Sequence, residues 1–360
     1  MVRVLPTKIQ SAALDLETLG HRVVGDCFVT FAGGTESEEQ YLNFVCSETY
    51  DGVVAEFVRR HLIWKAEGAF ALVEDSRLLS DNPKYIFKFD DPFHHFIIDT
   101  VVRAFKIVDA NPRAEIVFFI DHMDPKDFRY TDRMKQLKFL AKIFELNNVT
   151  YSFIDITDGV LPTYRPKPIY KIKNPVFVTV HSIAVPTSFN DVDRILEKYV
   201  LDKIPLVGDG GRKVYLSRGS LKQPANPLIE VEDGSPYKDN IRIYNESLIE
   251  EFLKERGFEI FHAEDLTNIE DQIEYFKSVS VLVGVSGSGL LNLLFMKSGG
   301  TVIELLVEDV LPGAKSYSIF FEYVGYSYTK SHMHISLDVW DKEGSTAVKK
   351  LDDLFKSLTI

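Results

Sequence analysis

Cysteine is scarce in this sequence: its 360 residues contain two, Cys27 and Cys46. At most one internal disulfide bond can form, and the cysteine spacings of redox and zinc motifs are missing. The N-terminal segment also lacks the apolar stretch of a secretory signal peptide. These absences exclude a disulfide-rich secreted domain, and they lead us to expect a protein of the reducing cytoplasm.

Positive charge is also in short supply. Lysine and arginine number 41 against 53 aspartates and glutamates, which gives a formal net charge of −12. Non-specific nucleic-acid binding needs a broad positive surface, so we expect no nucleic-acid partner. A local cationic pocket for a small anionic ligand is compatible with this charge.

Long apolar runs are missing except between residues 278 and 296, where no charged residue occurs. Serines and glycines interrupt this stretch, and a turn at residues 287–289 divides it into a strand and a helix. We therefore expect no membrane span. The remaining composition is globular, with 45% hydrophobic and 26% charged residues. Together with the length, it predicts two domains, each with its own core.

Strands and helices alternate from about residue 91 onwards, after a mostly β region over residues 20–85 with one helix at 53–65. The first half predicts, in order, a helix at 92–108, a strand at 114–120, a helix at 131–146, a strand at 149–156, a Pro-rich loop, a strand at 176–180 and a helix at 190–200. The second half predicts strands at 213–217, 258–261, 279–285 and 301–307, and helices at 245–256 (capped by Asn245), 267–278 (opened by a capping box from Thr267 to Glu270), 290–296 and 345–358. This alternation indicates an α/β fold with parallel sheets.

A segment rich in glycine and proline at residues 202–212 has the composition of a linker. It divides the chain into a domain at 1–201, a second domain at 202–344 and a terminal helix at 345–360. We expect that helix to pack back on the N-terminal domain.

A glycine-rich turn after an apolar strand is the strongest chemical signal. Gly284, Gly287 and Gly289 follow the spacing G-x-x-G-x-G, which differs from both the dinucleotide fingerprint and the Walker A loop. Free amides and the dipole at the start of the next helix favour an anion such as phosphate. The alternative is an ordinary tight turn between a strand and a helix.

Two further candidates lie on strands of the second half. Ser217 and Arg218 end its first strand, where ligands of open α/β sheets bind, and an arginine there can hold a diphosphate. A surface ion pair is the alternative for Arg218. Glu304 lies inside an apolar strand and needs a partner. Ribose hydroxyls and a buried ion pair are the two alternatives for it.

His95 and Asp99 are a candidate acid–base pair in the first half. Their spacing of four residues places both on one helix face, where such a pair can accept a proton from a hydroxyl. A solvated surface pair is the alternative. His332 and His334 share a strand face, but no third ligand is evident, so we expect no metal site. We expect the segment from Asp121 to Asp124 to be a solvated loop.

These residues, taken in chain order, resemble glycosyltransferase family 61. The matching positions are Ser217 and Arg218, Arg242, Asn245 and Glu246, Gly257 to Glu259, Gln272, Gly284, Gly287, Gly289 and Leu290, Asn292, Phe295 and Met296, and Val302 to Leu305. The segment from His95 to Asp99 resembles the family's His-Phe-x-x-Asp. The sequence departs from the family in three places: Ser286 replaces the His of the glycine-rich loop, Ser288 replaces its Ala, and Pro92 replaces an Asn.

The resemblance implies a GT-B fold, with two Rossmann-like domains facing across a cleft. It implies transfer with inversion from a nucleotide-sugar, most simply a UDP-sugar, to a hydroxyl of a glycan or glycoprotein. Asp99 or His95 would be the base, and no divalent metal or other cofactor is required. The expected donor contacts are Ser217, Arg218, the amides of Gly287 to Gly289, the hydroxyls of Ser286 and Ser288, and Asn292 and Glu304 on the ribose or on the loop itself. The alternatives are a catalytically silent binder, motivated by the missing loop His, and an enzyme that modifies the sugar-nucleotide.

Overall fold

Two units make up the chain, Met1–Ser188 and Phe189–Ile360. The structure is a computed structural model that describes residues 2–4, 20–22, 26–30, 45–47, 70–89, 93–120, 125, 130–156, 167–178, 189–206, 210–217, 243–262, 266, 268–307, 317–339 and 341–358. Helices and parallel strands alternate in it, which confirms the predicted α/β class. The helix Phe189–Tyr199 belongs to the second unit. The domain boundary predicted at residue 202 assigns this helix to the first domain.

The first unit contains two five-stranded sheets among its described residues. Its strands are β1 (Val2–Val4), β2 (Gly20–Arg22), β3 (Asp26–Thr30), β4 (Val45–Ser47), β5 (Phe70–Val73), β6 (Lys84–Lys88), β7 (Glu115–Ile120), β8 (Thr150–Asp155), β9 (Lys167–Lys173) and β10 (Pro175–Val178). One sheet has the order β1-β4-β3-β9-β5, and the other has the order β2-β10-β6-β7-β8. The neighbours β10, β6, β7 and β8 are parallel, as the alternation predicts.

Two long helices follow strands of the second sheet. Helix α1 covers residues 93–110 and includes a π-helical stretch, Phe96–Val102. Helix α2 is Tyr130–Leu146. Both predicted helices are confirmed, with small differences at their ends. The predicted helix at 53–65, Pro92 and the segment Asp121 to Asp124 lie outside the described residues.

The core of the first unit has a layer on each side of the second sheet. On one side, aromatic rings of the helices pack on the sheet: Phe144 of α2 lies 6.0 Å from Phe118 of β7 and 5.2 Å from Phe105 of α1, measured between ring centroids. On the other side, Val117 and Phe119 share a buried cluster with Cys27 and other residues of the first sheet. The second sheet therefore lies between helices and another sheet.

The second unit contains one parallel sheet. Its elements are helix α3 (Phe189–Tyr199), β11 (Arg212–Ser217), α4 (Glu246–Lys254), β12 (Glu259–His262), α5 (Ile269–Lys277), β13 (Val279–Val285), a 3₁₀ helix (Ser288–Phe295), β14 (Thr301–Leu306), α6 (Tyr317–Thr329), β15 (Met333–Asp338) and α7 (Gly344–Leu358). The strand order is β12-β11-β13-β14-β15, and every neighbouring pair is parallel.

The terminal helix α7 has the predicted bounds to within one residue. Its Phe355 lies 6.1 Å from Phe252 of α4 and 5.8 Å from Phe258, measured between ring centroids of stacked rings. Leu351 and Phe355 share a buried cluster with residues of β13 and β14. Leu351 and Phe355 of this helix are thus covered within its own unit, and packing of the helix on the N-terminal domain stays a prediction.

The two predicted helix caps differ in outcome. Asn245 is at the N-cap position of α4 as predicted, but it has a left-handed backbone (φ 54°) and its side chain makes no capping hydrogen bond. Asn268 is at the N-cap position of α5, where the capping box predicted Thr267, and its side-chain oxygen accepts from the amide of Asp271 at 2.7 Å. Thr267 lies outside the described residues. Gly257 ends α4 as expected, with φ 77°, because a glycine adopts this backbone without strain.

Candidate active site

The strand order of the second unit reverses between β11 and β13, because β12 lies on the far side of β11. In open α/β sheets, ligands bind outside the carboxyl ends of the strands at such a reversal. Here β11 ends at Ser217 and β13 ends at Val285, directly before the glycine-rich turn. The structure therefore brings two of the predicted site segments to the same edge of the sheet.

The glycine-rich turn leads into the 3₁₀ helix, which begins at Ser288 rather than at the predicted residue 290. A 3₁₀ helix leaves its first three amides without partners inside the helix, here those of Gly287, Ser288 and Gly289. The flanking amides are used, since Ser286 donates to the carbonyl of Leu305 (3.0 Å) and Leu290 to that of Gly287 (2.9 Å). Ser288 is exposed and Gly289 is half-buried, so the turn reaches solvent.

Tight packing explains two of the glycines. A Cβ atom on Gly289 would lie 2.6 Å from the Cδ2 of Leu216, near the end of β11. A Cβ atom on Gly284 would lie 3.2 Å from the Cδ2 of Leu290. The glycines therefore let the turn approach the end of β11, a structural role that the sequence analysis did not include.

Asn292 is fully buried, and both polar atoms of its side chain bond within the protein. Its Nδ2 donates to the carbonyl of Gly289 at 2.7 Å, and its Oδ1 accepts from the Nε2 of Gln272 on α5 at 2.7 Å. Of the two predicted roles for Asn292, the contact with the loop itself is the one in the structure. From the sequence, Gln272 was identified only as a position that matches the family. Nothing in the sequence indicates that its side chain contacts Asn292, 20 residues further on.

Ser217 lies at the predicted place, but its side chain points to α4. Its hydroxyl donates to Glu250 at 2.6 Å, and two residues earlier the hydroxyl of Tyr215 donates to Glu246 at 2.8 Å. Burial, together with the carboxylate of Glu246, raises the pKa of Tyr215 well above its ordinary value. The two bonds join the end of β11 to the first turns of α4. Arg218 and Arg242 lie outside the described residues.

Glu304 is fully buried and forms the pair that the sequence analysis offered as one alternative. Its Oε2 lies 2.9 Å from the Nε2 of His334 on β15. The Nδ1 of His334 lies 2.8 Å from the hydroxyl of Ser327. With its proton on Nε2, His334 donates to the carboxylate and accepts from the serine. No donor among the described residues reaches Glu304 Oε1. Ser286, on the neighbouring strand end, is also buried.

His332 has a different role from His334. Its Nδ1 accepts from the amide of Gly300 at 3.0 Å, and its Nε2 donates to the carbonyl of Leu293 at 3.0 Å. Burial lowers the pKa of His332, which keeps the ring neutral. The two histidines thus belong to separate hydrogen-bond networks. Within the described ranges, no three His, Cys, Asp or Glu side chains are grouped so as to hold a metal ion.

In the first unit, the predicted pair of His95 and Asp99 is present and has a third member. His95 Nδ1 lies 2.7 Å from Asp99 Oδ2, and an amino group of Arg103 lies 2.7 Å from Asp99 Oδ1. The side chains of Asp99 and Arg103 are 8% and 4% exposed, and that of His95 is 24% exposed. The carboxylate is therefore held between a buried cation and an imidazole that solvent reaches. Arg103 was not predicted as part of this group, although it continues the same spacing of four residues.

A family model described as Glycosyltransferase 61 matches residues 93–303, which is more than half of the chain. No curated protein sequence matches. Among solved structures, the E. coli heptosyltransferase WaaC with ADP is similar, with 9% sequence identity, coverage of 76% of this chain and 99% of that chain, and a TM-score of 0.35. No helix in the described part of the chain has the length and apolar character needed to cross a membrane.

Proposed function

Because the chain belongs to glycosyltransferase family 61, we propose that it is an inverting glycosyltransferase that moves a sugar from a UDP-sugar to a hydroxyl of a glycan or glycoprotein. In this proposal the two units are the two domains of a GT-B fold, with the acceptor on the first and the donor on the second. The observation that carries it is the position of the turn at Gly287 to Gly289, beside the end of β11 where the strand order reverses.

The second unit stabilises the leaving group. As the bond between the anomeric carbon and the phosphate oxygen breaks, negative charge develops on the departing diphosphate. The three amides that begin the 3₁₀ helix are positioned donors for such charge, and Arg218, next to the described end of β11, adds a fixed cation. The hydroxyls of Ser286 and Ser288 are further candidate donors. With this set, the reaction needs no divalent metal for charge neutralisation.

The first unit supplies the base. The ion pair with Arg103 holds the carboxylate of Asp99 in place, and Asp99 then orients His95 by accepting from its Nδ1–H. In this proposal, the Nε2 atom of His95 takes the proton of the acceptor hydroxyl as the hydroxyl oxygen attacks the anomeric carbon. Of the two candidate bases, this geometry favours His95, with Asp99 as the group that positions it.

Glu304 is proposed to bind the ribose of the donor. His334 occupies one carboxylate oxygen, and Oε1 is the oxygen without a donor among the described residues. A ribose hydroxyl would supply the missing hydrogen bond, which a buried carboxylate oxygen otherwise lacks.

The test is to follow binding and product release with a panel of nucleotide-sugars. We expect a UDP-sugar to raise the melting temperature of the protein and, with an acceptor or slowly with water, to release UDP. A silent family member, the alternative suggested by Ser286 in place of the loop His, would be stabilised by nucleotide but release none. An enzyme that modifies the sugar-nucleotide would change the donor sugar without acceptor and without free UDP.

A further inference from the structure

A chain of hydrogen bonds connects helix α5 to the glycine-rich turn. Gln272 donates from Nε2 to Asn292 Oδ1 (2.7 Å), and Asn292 donates from Nδ2 to the carbonyl of Gly289 (2.7 Å). Gln272 is 9% exposed and Asn292 is fully buried. Each hydrogen bond in such a series polarises the next, so that a buried network holds its members in one arrangement.

The series of hydrogen bonds continues through the backbone to the amide of Ser288, which points away from the 3₁₀ helix. The carbonyl of Gly289 and the amide of Leu290 belong to one planar peptide, and the amide of Leu290 donates to the carbonyl of Gly287 at 2.9 Å. The carbonyl of Gly287 shares its own peptide with the amide of Ser288. Because the two ends of a trans peptide point in opposite directions, fixing this carbonyl directs the amide of Ser288 out of the helix start.

We propose that Gln272 is a positioning residue for the diphosphate of the donor, acting through Asn292 on the direction of the amides that begin the 3₁₀ helix. This inference rests on the proposed function. In this inference, Gln272 makes no contact with the donor. It fixes the turn before the donor binds, so that the amides need no reorganisation when charge develops on the leaving group.

The deciding variant is Gln272→Met, which keeps the length of the side chain and removes its donor. We expect the Kd for UDP, and for inorganic pyrophosphate as the minimal probe, to rise, and kcat/KM for the UDP-sugar to fall, by roughly tenfold to a hundredfold, the effect of a small misplacement of catalytic groups. The KM for the acceptor stays unchanged. Hydrogen exchange of the peptide containing Leu290 becomes faster in the variant without any ligand.

The matched control is Ile273→Ala, a cavity in the next, fully buried residue of the same helix. It destabilises α5 without touching the hydrogen-bond chain, and we expect its UDP affinity to stay within about twofold of wild type when both are folded. If Gln272→Met itself unfolds, Gln272→Glu serves instead, since a carboxylate lacks the donor but keeps the shape.

The results separate the two proposals. Wild-type protein that binds neither UDP nor pyrophosphate overturns the proposed function and this inference with it. Wild-type protein that binds UDP, with Gln272→Met equally tight and equally active, overturns the inference alone. Equal losses in Gln272→Met and Ile273→Ala also overturn it, because they show a general effect of stability.

Discussion

At the scale of single residues, the environment of Asp99 decides how the candidate acid–base pair works. A carboxylate between His95 and a buried Arg103 already carries two charge-assisted contacts. Such a group is better suited to orient a base than to be one. The imidazole of His95, with its side chain 24% exposed, is the part of the group that solvent reaches most.

His95→Ala is therefore expected to lower kcat for transfer by about 10²- to 10⁴-fold at saturating donor, the usual contribution of a general base. The KM for the donor stays nearly constant, because the donor binds to the other unit in this mechanism. Steady-state kinetics with a UDP-sugar measure both constants. The neighbouring His94→Ala is the control and keeps most of the activity. Near-full rates for both His95→Ala and Asp99→Asn would place the base elsewhere.

A second prediction at the scale of single residues concerns Gly289. A methyl group there meets Leu216 at 2.6 Å, so we expect Gly289→Ala to lower the free energy of unfolding by about 1–3 kcal/mol, as overpacking does. Urea denaturation measures this value. Adding Leu216→Ala removes the opposing side chain, and the double variant should be less destabilised than the sum of the two single variants. Strict additivity would show that the contact is unimportant.

At the scale of elements, the bounds of helices and strands were predicted well wherever the apolar residues follow a single helical or strand periodicity. Helices α1, α2 and α7 and strands β7, β8, β11, β13 and β14 lie within a few residues of the predicted bounds. Helix α6 was missed because aromatic and aliphatic residues dominate its sequence, so that the contrast between its two faces is weak. Strand β9 was missed because Pro168, near its start, indicates a loop, whereas β9 pairs there in parallel with β5.

The candidate site was predictable only where its contacts are local. The spacing of His95 and Asp99 is a property of one helix, so four residues of sequence contain it. The partners of Asn292 and Glu304, Gln272 and His334, are 20 and 30 residues away. Only the packing of α5 and β15 brings these side chains together, and no pattern in a single sequence indicates such a pairing.

His332 connects the 3₁₀ helix to the loop before β14, and its burial makes this link depend on pH. Its pKa in the folded state is lowered, so the unfolded chain, with an ordinary value of about 6.5, binds the proton more readily. The stability from His332 is thus complete above this pH and is lost as the pH falls.

We expect His332→Gln, which keeps a donor and an acceptor but does not titrate, to reduce the loss of unfolding free energy between pH 7.5 and 5. The difference is at most about 1.4 kcal/mol for each pH unit, the limit for one proton. Urea denaturation at several pH values measures it. Identical pH dependence in wild type and variant would show that His332 does not titrate with folding.

At the scale of the whole molecule, the proposed reaction divides its work between two separately built units. In the proposal, the first unit supplies a proton acceptor on a helix, and the second supplies hydrogen-bond donors for an anion at the carboxyl edge of a parallel sheet. The acidic chain, with its net charge of −12, must therefore concentrate its positive charge locally to bind a diphosphate. In the proposal, Arg218 supplies this local positive charge, because it directly follows the end of β11.

Arg218→Ala is expected to lower turnover of the UDP-sugar by about 10²- to 10³-fold, the cost of removing one positioned donor from a developing anion. Arg212→Ala is the matched control, because Arg212 begins the same strand at the opposite edge of the sheet, where it lies 3.4 Å from Glu259. Release of UDP, followed over time for both variants, measures the effect. Loss of turnover in Arg218→Ala alone supports a leaving-group role at the carboxyl end of β11. Turnover within a few-fold of wild type would contradict that role, because a diphosphate that departs without Arg218 must be stabilised by other groups.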